Sequence, residues 1–221
     1  MASSAPSADV LSRLRALPTA AISDALDASG ISGALDGIAP LADSFRAVGP
    51  AFTVRYAPVG SAGGTVGDFL DDVPAGAVIV IDNSARTDVT VWGGIMSQVA
   101  AARGIAGTVI NGVCRDVAET LAEPYPVFSC GRFMRTGKDR VRLESVGRLL
   151  SIAGVDVEPG TIICADADGV VAVPQYAAGQ AAQTAERIEY VEAQIIAAAR
   201  GGTSLRQARA EFAYHELQRK R

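Results

Sequence analysis

The stretch Ala77-Val78-Ile79-Val80-Ile81-Asp82, the helical run from Ile95 to Arg103 and the apolar segment Thr108-Val109-Ile110-Asn111 together decide the fold. The first segment follows the turn Pro74-Ala75-Gly76 and has the length and β-branching of a buried strand. A loop is expected from Asn83 to Trp92, then Gly93-Gly94, the helix, a stop at Gly104 and a second strand. Strand, helix and strand in this order build parallel sheet, and ligands bind such sheets beyond the carboxyl ends of the strands. Gly94 and Arg115 both fall at such ends.

Working outward, the N-terminal side predicts a helix from Asp9 to Leu17. Thr19 is placed to cap a second helix after Pro18, and Gly30 ends it. Ala47 to Tyr56 reads as a strand, and the small residues Gly60 to Gly67 form a loop opening onto a short helix. On the C-terminal side, Val127 to Cys130, Val155 to Val157, Thr161 to Cys164 and Val170 to Val173 are short strands. Glu158-Pro159-Gly160 and Asp166-Ala167-Asp168-Gly169 are turns between them. Ala177 to Arg200 is an Ala-rich helix broken by Gly201-Gly202, with a last helical stretch from Thr203. The expectation is a single α/β domain with a layered sheet: residues 1–17 as an extension, 18–176 as the core and 177–221 as a projecting helical arm.

With 221 residues, 49% hydrophobic and 20% charged, the chain can bury one sizeable core. Its apolar runs fall short of the roughly 18 residues that span a bilayer, so no membrane partner is expected. The first seven residues lack the basic and apolar regions of a secretory signal, which predicts a cytoplasmic protein. Cys114, Cys130 and Cys164 are an odd set and read as free thiols. A net charge of −4 argues against nucleic acid as a partner, and Arg219-Lys220-Arg221 is too short a run to reverse that.

Exclusions narrow the chemistry. The single histidine, His215, removes multi-histidine zinc sites and makes a Ser-His-Asp arrangement a poor fit. The only lysines, Lys138 and Lys220, lack the apolar surroundings that imine chemistry requires. Neither a P-loop nor a dinucleotide fingerprint is present. What remains is carboxylate, arginine and backbone N–H chemistry. Gly93-Gly94 ahead of a helix leaves the N–H groups of Ile95 and Met96 as an anion site for a ligand carboxylate. Arg115 can donate two hydrogen bonds to an oxygen that gains charge, and Asp116 can hold a hard divalent ion acting as a Lewis acid on a 2-oxo group. Asp116-Val117-Ala118-Glu119 is equally a capping-box pattern, in which the two acids merely start a helix.

Gly94, Arg115, Asp116 and Glu119 give the pattern glycine, twenty residues, Arg-Asp, two residues and Glu. In this pattern, and in Thr19 to Gly30, Val48 to Val54, Gly107 to Asp116 and Gly154 to Val170, the chain resembles the RraA-like proteins. These include the class II 4-hydroxy-4-methyl-2-oxoglutarate / 4-carboxy-4-hydroxy-2-oxoadipate aldolases. The resemblance implies an α/β/β/α sandwich. It implies Mg²⁺ or Mn²⁺ on Asp116 through a shell of waters, Arg115 on the 2-oxo oxygen of a pyruvate moiety, and the Gly94-Ile95-Met96 amides on its carboxylate. Relatives that carry an acid at the Gly94 position use it in proton transfer; here Glu119 is the substitute candidate. A glutamate from a neighbouring subunit's C-terminal helix completes the site in relatives, and Glu192 fits by spacing, with Glu189 as second choice. A homo-oligomer, trimer or hexamer, follows.

The implied reaction is retro-aldol cleavage of a 4-hydroxy-2-oxo acid to pyruvate and a second oxo acid, with oxaloacetate decarboxylation through the same enolate. Arg55, Arg132 and Arg135 are candidates for a second substrate carboxylate, and each also reads as a surface charge. The alternatives are a non-catalytic regulator of the ribonuclease-inhibiting branch and a lyase acting on another 2-oxo acid.

Overall fold

Alternation along the central strands sets the layering, because successive side chains of a strand point to opposite faces. The computed structural model describes residues 7–60 and 64–217. The terminal Arg219-Lys220-Arg221 run, the first six residues and the middle of the small-residue loop lie outside the described residues. Two helices come first, α1 (Ala8–Ala16) and α2 (Thr19–Ala28), then the strands β1 (Ala39–Pro40) and β2 (Ala47–Pro58). A 3₁₀ turn at Asp68–Asp72 leads to β3 (Val78–Thr90), α3 (Gly94–Ala102), β4 (Gly107–Cys114), α4 (Val117–Ala122) and β5 (Val127–Arg132). The short strands β6 (Val141–Val146), β7 (Leu150–Ile152), β8 (Val155–Val157), β9 (Ile162–Asp166) and β10 (Gly169–Val173) follow. Three helices complete the described chain: α5 (Ala178–Arg200), α6 (Leu205–Glu211) and α7 (Tyr214–Leu217).

Strands β2, β3, β4 and β5 are mutually parallel neighbours, as the central strand-helix-strand unit predicts. The sheet runs β1-β5-β4-β3-β2-β9-β10, with β6 also pairing β2. Strand β2 belongs to two layers: Ala47 to Pro50 pair antiparallel with β9, and Ala51 to Arg55 pair parallel with β3. A glycine is required at the crossing, since a Cβ on Gly49 would collide with the carbonyl oxygen of Gly76.

Ile79, Ile81 and Ile110 face the α3 side, where Trp92, Ala100 and Tyr125 close one core. Val78, Val80, Val109 and Phe128 point the other way, onto the β7–β8 hairpin and the inner faces of β9 and β10. The outer faces of those two strands, Ile162, Cys164, Val171 and Val173, pack on α1, α2 and α5. The order is helix, sheet, sheet, helix, the α/β/β/α arrangement.

Three local expectations are corrected. The segment from Asn83 is not a free loop: β3 continues to Thr90, with a bulge in which Ser84 and Ala85 take φ of 55° and 53°. Its polar composition hides the strand because it lacks alternation. Thr19 does not cap α2. Pro18 holds the N-cap position, while the Thr19 amide and hydroxyl donate to the Asp166 carboxylate at 2.8 and 2.5 Å. The arm also turns back on itself: α5 buries Ala181, Ala185 and Ile188 against the α2 side, and α6 returns onto α5 with Ala208 fully buried.

All three cysteines are free thiols. Burial pushes the Cys114 thiol up and that of Cys164 up to about 12, so both stay protonated at neutral pH. Among the described residues, no helix is long and apolar enough to cross a membrane.

Candidate active site

Two strand ends meet at the site. Strand β3 turns through Val91-Trp92-Gly93 into α3, and the Arg115 amide just beyond β4 donates to the Trp92 carbonyl at 3.1 Å. The backbone at Gly93 is extended, open to any residue, yet a Cβ there would stand 2.7 Å from Asp116 Oδ2. A side chain at this position would have to displace the Asp116 carboxylate. At Gly94 a Cβ would collide with the Glu119 carboxylate. The Glu119 carboxylate thus fills the volume where a side chain at position 94 would begin.

Asp116 has left-handed backbone, φ 56°, a conformation that Asp tolerates better than most residues. It stands at the N-cap position of α4 but makes no capping bond, so the capping box does not form. Its Oδ2 instead accepts from the Gly94 amide at 3.0 Å and lies 3.4 Å from Arg115 Nε. The Gly94 amide, expected to hold a ligand carboxylate, is thereby engaged within the chain. The Ile95 and Met96 amides remain as first-turn donors at the positive end of α3.

These groups line a cleft of about 280 Å³ that also contains Thr65, Thr90, Trp92, Thr136 and Lys138. Lys138 was not legible as a site residue. It arrives because Thr136 bridges to Thr90 and the Thr90 amide donates to the Arg135 carbonyl at 3.0 Å, drawing the segment after β5 over the strand ends. Beneath the cleft, the Trp92 indole donates to Ser97 Oγ at 2.9 Å, and Ser97 Oγ lies 3.0 Å from Thr120 Oγ1. All three side chains are buried. This chain of hydrogen bonds locks α3, which carries Gly94, to α4, which carries Glu119.

Other expected residues lie elsewhere. Glu192 accepts from the Tyr214 hydroxyl at 3.2 Å within the arm. The Glu189 carboxyl is raised from its ordinary value by burial and then by Glu192. Neither lines the cleft of its own chain. His215 sits edge-on to Tyr214. Arg55 is 3.1 Å from Glu144 and 3.8 Å from Asp82, and the Arg135 guanidinium lies over the Phe133 ring. Arg132 lines a second pocket together with Arg115 and Asp116.

Among the described residues, no group of three or more His, Cys, Asp or Glu side chains is arranged to hold a metal. Asp116 and Glu119 both approach the side-chain space of Gly94; Asp116 lines the cleft, while Glu119 is not among its lining residues. One or two carboxylates with remaining positions left to water or substrate is a common Mg²⁺ donor set, and the residues present fit it.

The geometry agrees with a family match. The family model described as RraA-like, Aldolase/RraA, matches residues 19–172. The chain belongs to the RraA-like family. An RraA-like relative from Halalkalibacterium halodurans, provisionally named a 4-hydroxy-4-methyl-2-oxoglutarate aldolase, is 33% identical over 76% of this chain and 77% of its own length. Protein DlpA of Legionella pneumophila is 39% identical over 94% of this chain, which spans only 34% of that longer protein. A crystal structure of an uncharacterized Pseudomonas syringae protein superposes with a TM-score of 0.87 at 44% identity, covering 94% of this chain and all of that one. Streptomyces coelicolor RraAS2, described as an unusual member of the RNase ES inhibitor RraA protein family, has a TM-score of 0.77 at 25% identity, covering 86% and 96% of the two chains.

Proposed function

We propose that this RraA-like protein is a divalent-metal-dependent lyase that cleaves a 4-hydroxy-2-oxo acid, such as 4-hydroxy-4-methyl-2-oxoglutarate, to pyruvate and a second oxo acid. The observation that carries this reading is the placement of the Glu119 carboxylate in the side-chain space of Gly94, beside Asp116 and Arg115. An acid is thus present at the position from a different point in the sequence.

In this reading the Ile95 and Met96 amides hold the substrate's first carboxylate at the helix end, with Lys138 adding positive charge across the cleft. Arg115 donates to the 2-oxo oxygen, and its contribution grows as the C3–C4 bond breaks and charge collects there. Glu119 takes the proton from the 4-hydroxyl, directly or through one water, as a general base. A divalent ion held by Asp116, with Glu119 nearby, would supply Lewis-acid polarisation of the 2-oxo group. Oxaloacetate is an expected second substrate, because loss of CO₂ leaves the same enolate on Arg115. Completion of the site by Glu192 of a second copy in a trimer or hexamer belongs to the same proposal.

A coupled pyruvate assay over a panel of 4-hydroxy-2-oxo diacids and oxaloacetate, with and without EDTA, tests it. Metal-dependent pyruvate release is the expected result; none from any substrate refutes the lyase. The likeness to RraAS2 favours one second reading, a ribonuclease-binding regulator. Retention of ribonuclease on the immobilised protein, combined with no pyruvate release, would select it.

A further inference from the structure

We infer that the pocket on the outer side of Arg115 and Asp116 is a subsite for the second carboxylate of a dicarboxylic substrate, and that Arg132 selects it. The inference rests on the lyase reading above and deepens it.

This second cavity, of about 330 Å³, is lined by Arg115, Asp116, Val117, Arg132, Phe133 and Met134. Arg115 and Asp116 line both cavities, so the two lobes adjoin at these residues. A ligand whose 2-oxo oxygen sits at Arg115 can place its first carboxylate in the inner lobe and extend its remaining carbons into the outer one. Arg132 is fixed there by the sheet and not by a loop. It pairs with Cys114, one residue before Arg115, and the next amide, that of Phe133, donates to the Cys114 carbonyl at 2.9 Å.

The other two candidate arginines are already engaged. Arg55 faces Asp82 and Glu144, and Arg135 covers the Phe133 ring. Lys138 lines the inner lobe with the Ile95 and Met96 amides. Arg132 is exposed and in no ion pair among the described residues. A guanidinium binds a carboxylate through two parallel hydrogen bonds. Phe133 and Met134, the latter 76% exposed, give the same lobe an apolar wall for an alkyl substituent at C4.

Trp92 is the only tryptophan in the chain and lines the inner lobe, so its fluorescence reads binding without turnover. The test titrates the full chain, with Mg²⁺, with 2-oxoglutarate and with 2-oxobutyrate. The first has a second carboxylate and the second has none; neither carries the hydroxyl needed for cleavage. The wild type should bind 2-oxoglutarate more tightly. Arg132→Gln should weaken that binding about 10- to 100-fold, the scale of a lost charge-assisted hydrogen bond, and shift 2-oxobutyrate by no more than about twofold. Arg132→Lys should recover part of the preference. Equal weakening of both acids, no change in either, or transfer of the preference to Lys138→Gln overturns the subsite, as does the absence of binding to the wild type by calorimetry. Selectivity for the diacid with no pyruvate from any hydroxy acid would refute the lyase and leave the subsite; turnover without selectivity would do the reverse.

Discussion

Asp82, inside β3 just before its bulge, and Asp116, just beyond the end of the neighbouring parallel strand β4, are both acids, and they have opposite fates. Asp82 is only 4% exposed; its Oδ1 accepts from Asn111 Nδ2 and the Ser84 amide, each at 2.8 Å. Its capacity is spent on the fold. Asp116 keeps 35% of its side chain exposed, accepts one backbone hydrogen bond and sits on left-handed backbone. An acid that is open, incompletely satisfied and held in an uncommon conformation retains capacity for a ligand. Residual hydrogen-bonding capacity separates the two roles.

The contrast can be broken by mutation, beginning on the Asp116 side. Arg115→Ala should lower kcat/KM for pyruvate release by about 10²- to 10³-fold with little change in Tm, since it removes a donor aimed at developing charge. Next, Gly94→Ala should displace the Glu119 carboxylate and cost about 10²-fold, the scale of a small misplacement at a reacting group. Gly94→Asp combined with Glu119→Ala should recover activity relative to Glu119→Ala alone; if it does not, the shared position has no chemical meaning.

On the other side, Asp82→Ala should behave as a stability variant. Leaving the Asn111 and Ser84 donors unpaired should cost about 1–3 kcal/mol in urea unfolding, with kcat/KM of the folded protein nearly preserved. A loss of activity without loss of stability would invert the comparison. The smallest effect is expected in the arm at Glu189→Gln. Because the folded state raises the Glu189 carboxyl, that group favours folding when protonated, and the advantage is lost as pH rises through its folded value. Glutamine should therefore raise Tm slightly at pH 7, and the gain should vanish at acid pH, where Glu189 is itself protonated.

The central architecture was legible because Val78 to Ile81 and Thr108 to Asn111 are apolar runs with glycine stops between them, a signal that needs no long-range information. Thr19 was misassigned because its partner, Asp166, lies 147 residues away, and a local capping rule cannot anticipate a distant carboxylate. The capping box failed for the same reason in reverse: Asp116 had a better partner across the strand ends at Gly94. The resemblance to the RraA-like pattern is what paired Glu119 with Gly94; the spacing alone read equally as a capping box. Lys138 and the Trp92–Ser97–Thr120 chain carry no periodic or spacing signal, since their proximity exists only once β3, α3, α4 and the segment after β5 are assembled.

Strand β2 bears on how the molecule can move. Because one continuous backbone is hydrogen-bonded to β9 at its start and to β3 from Ala51 onward, the two sheets cannot slide or hinge against each other without tearing ladder bonds in the middle of that strand. Breathing of the cleft is thereby confined to the helix-bearing side, and the two β layers act as a stationary anvil against which α3, α4 and the Thr136–Lys138 segment adjust.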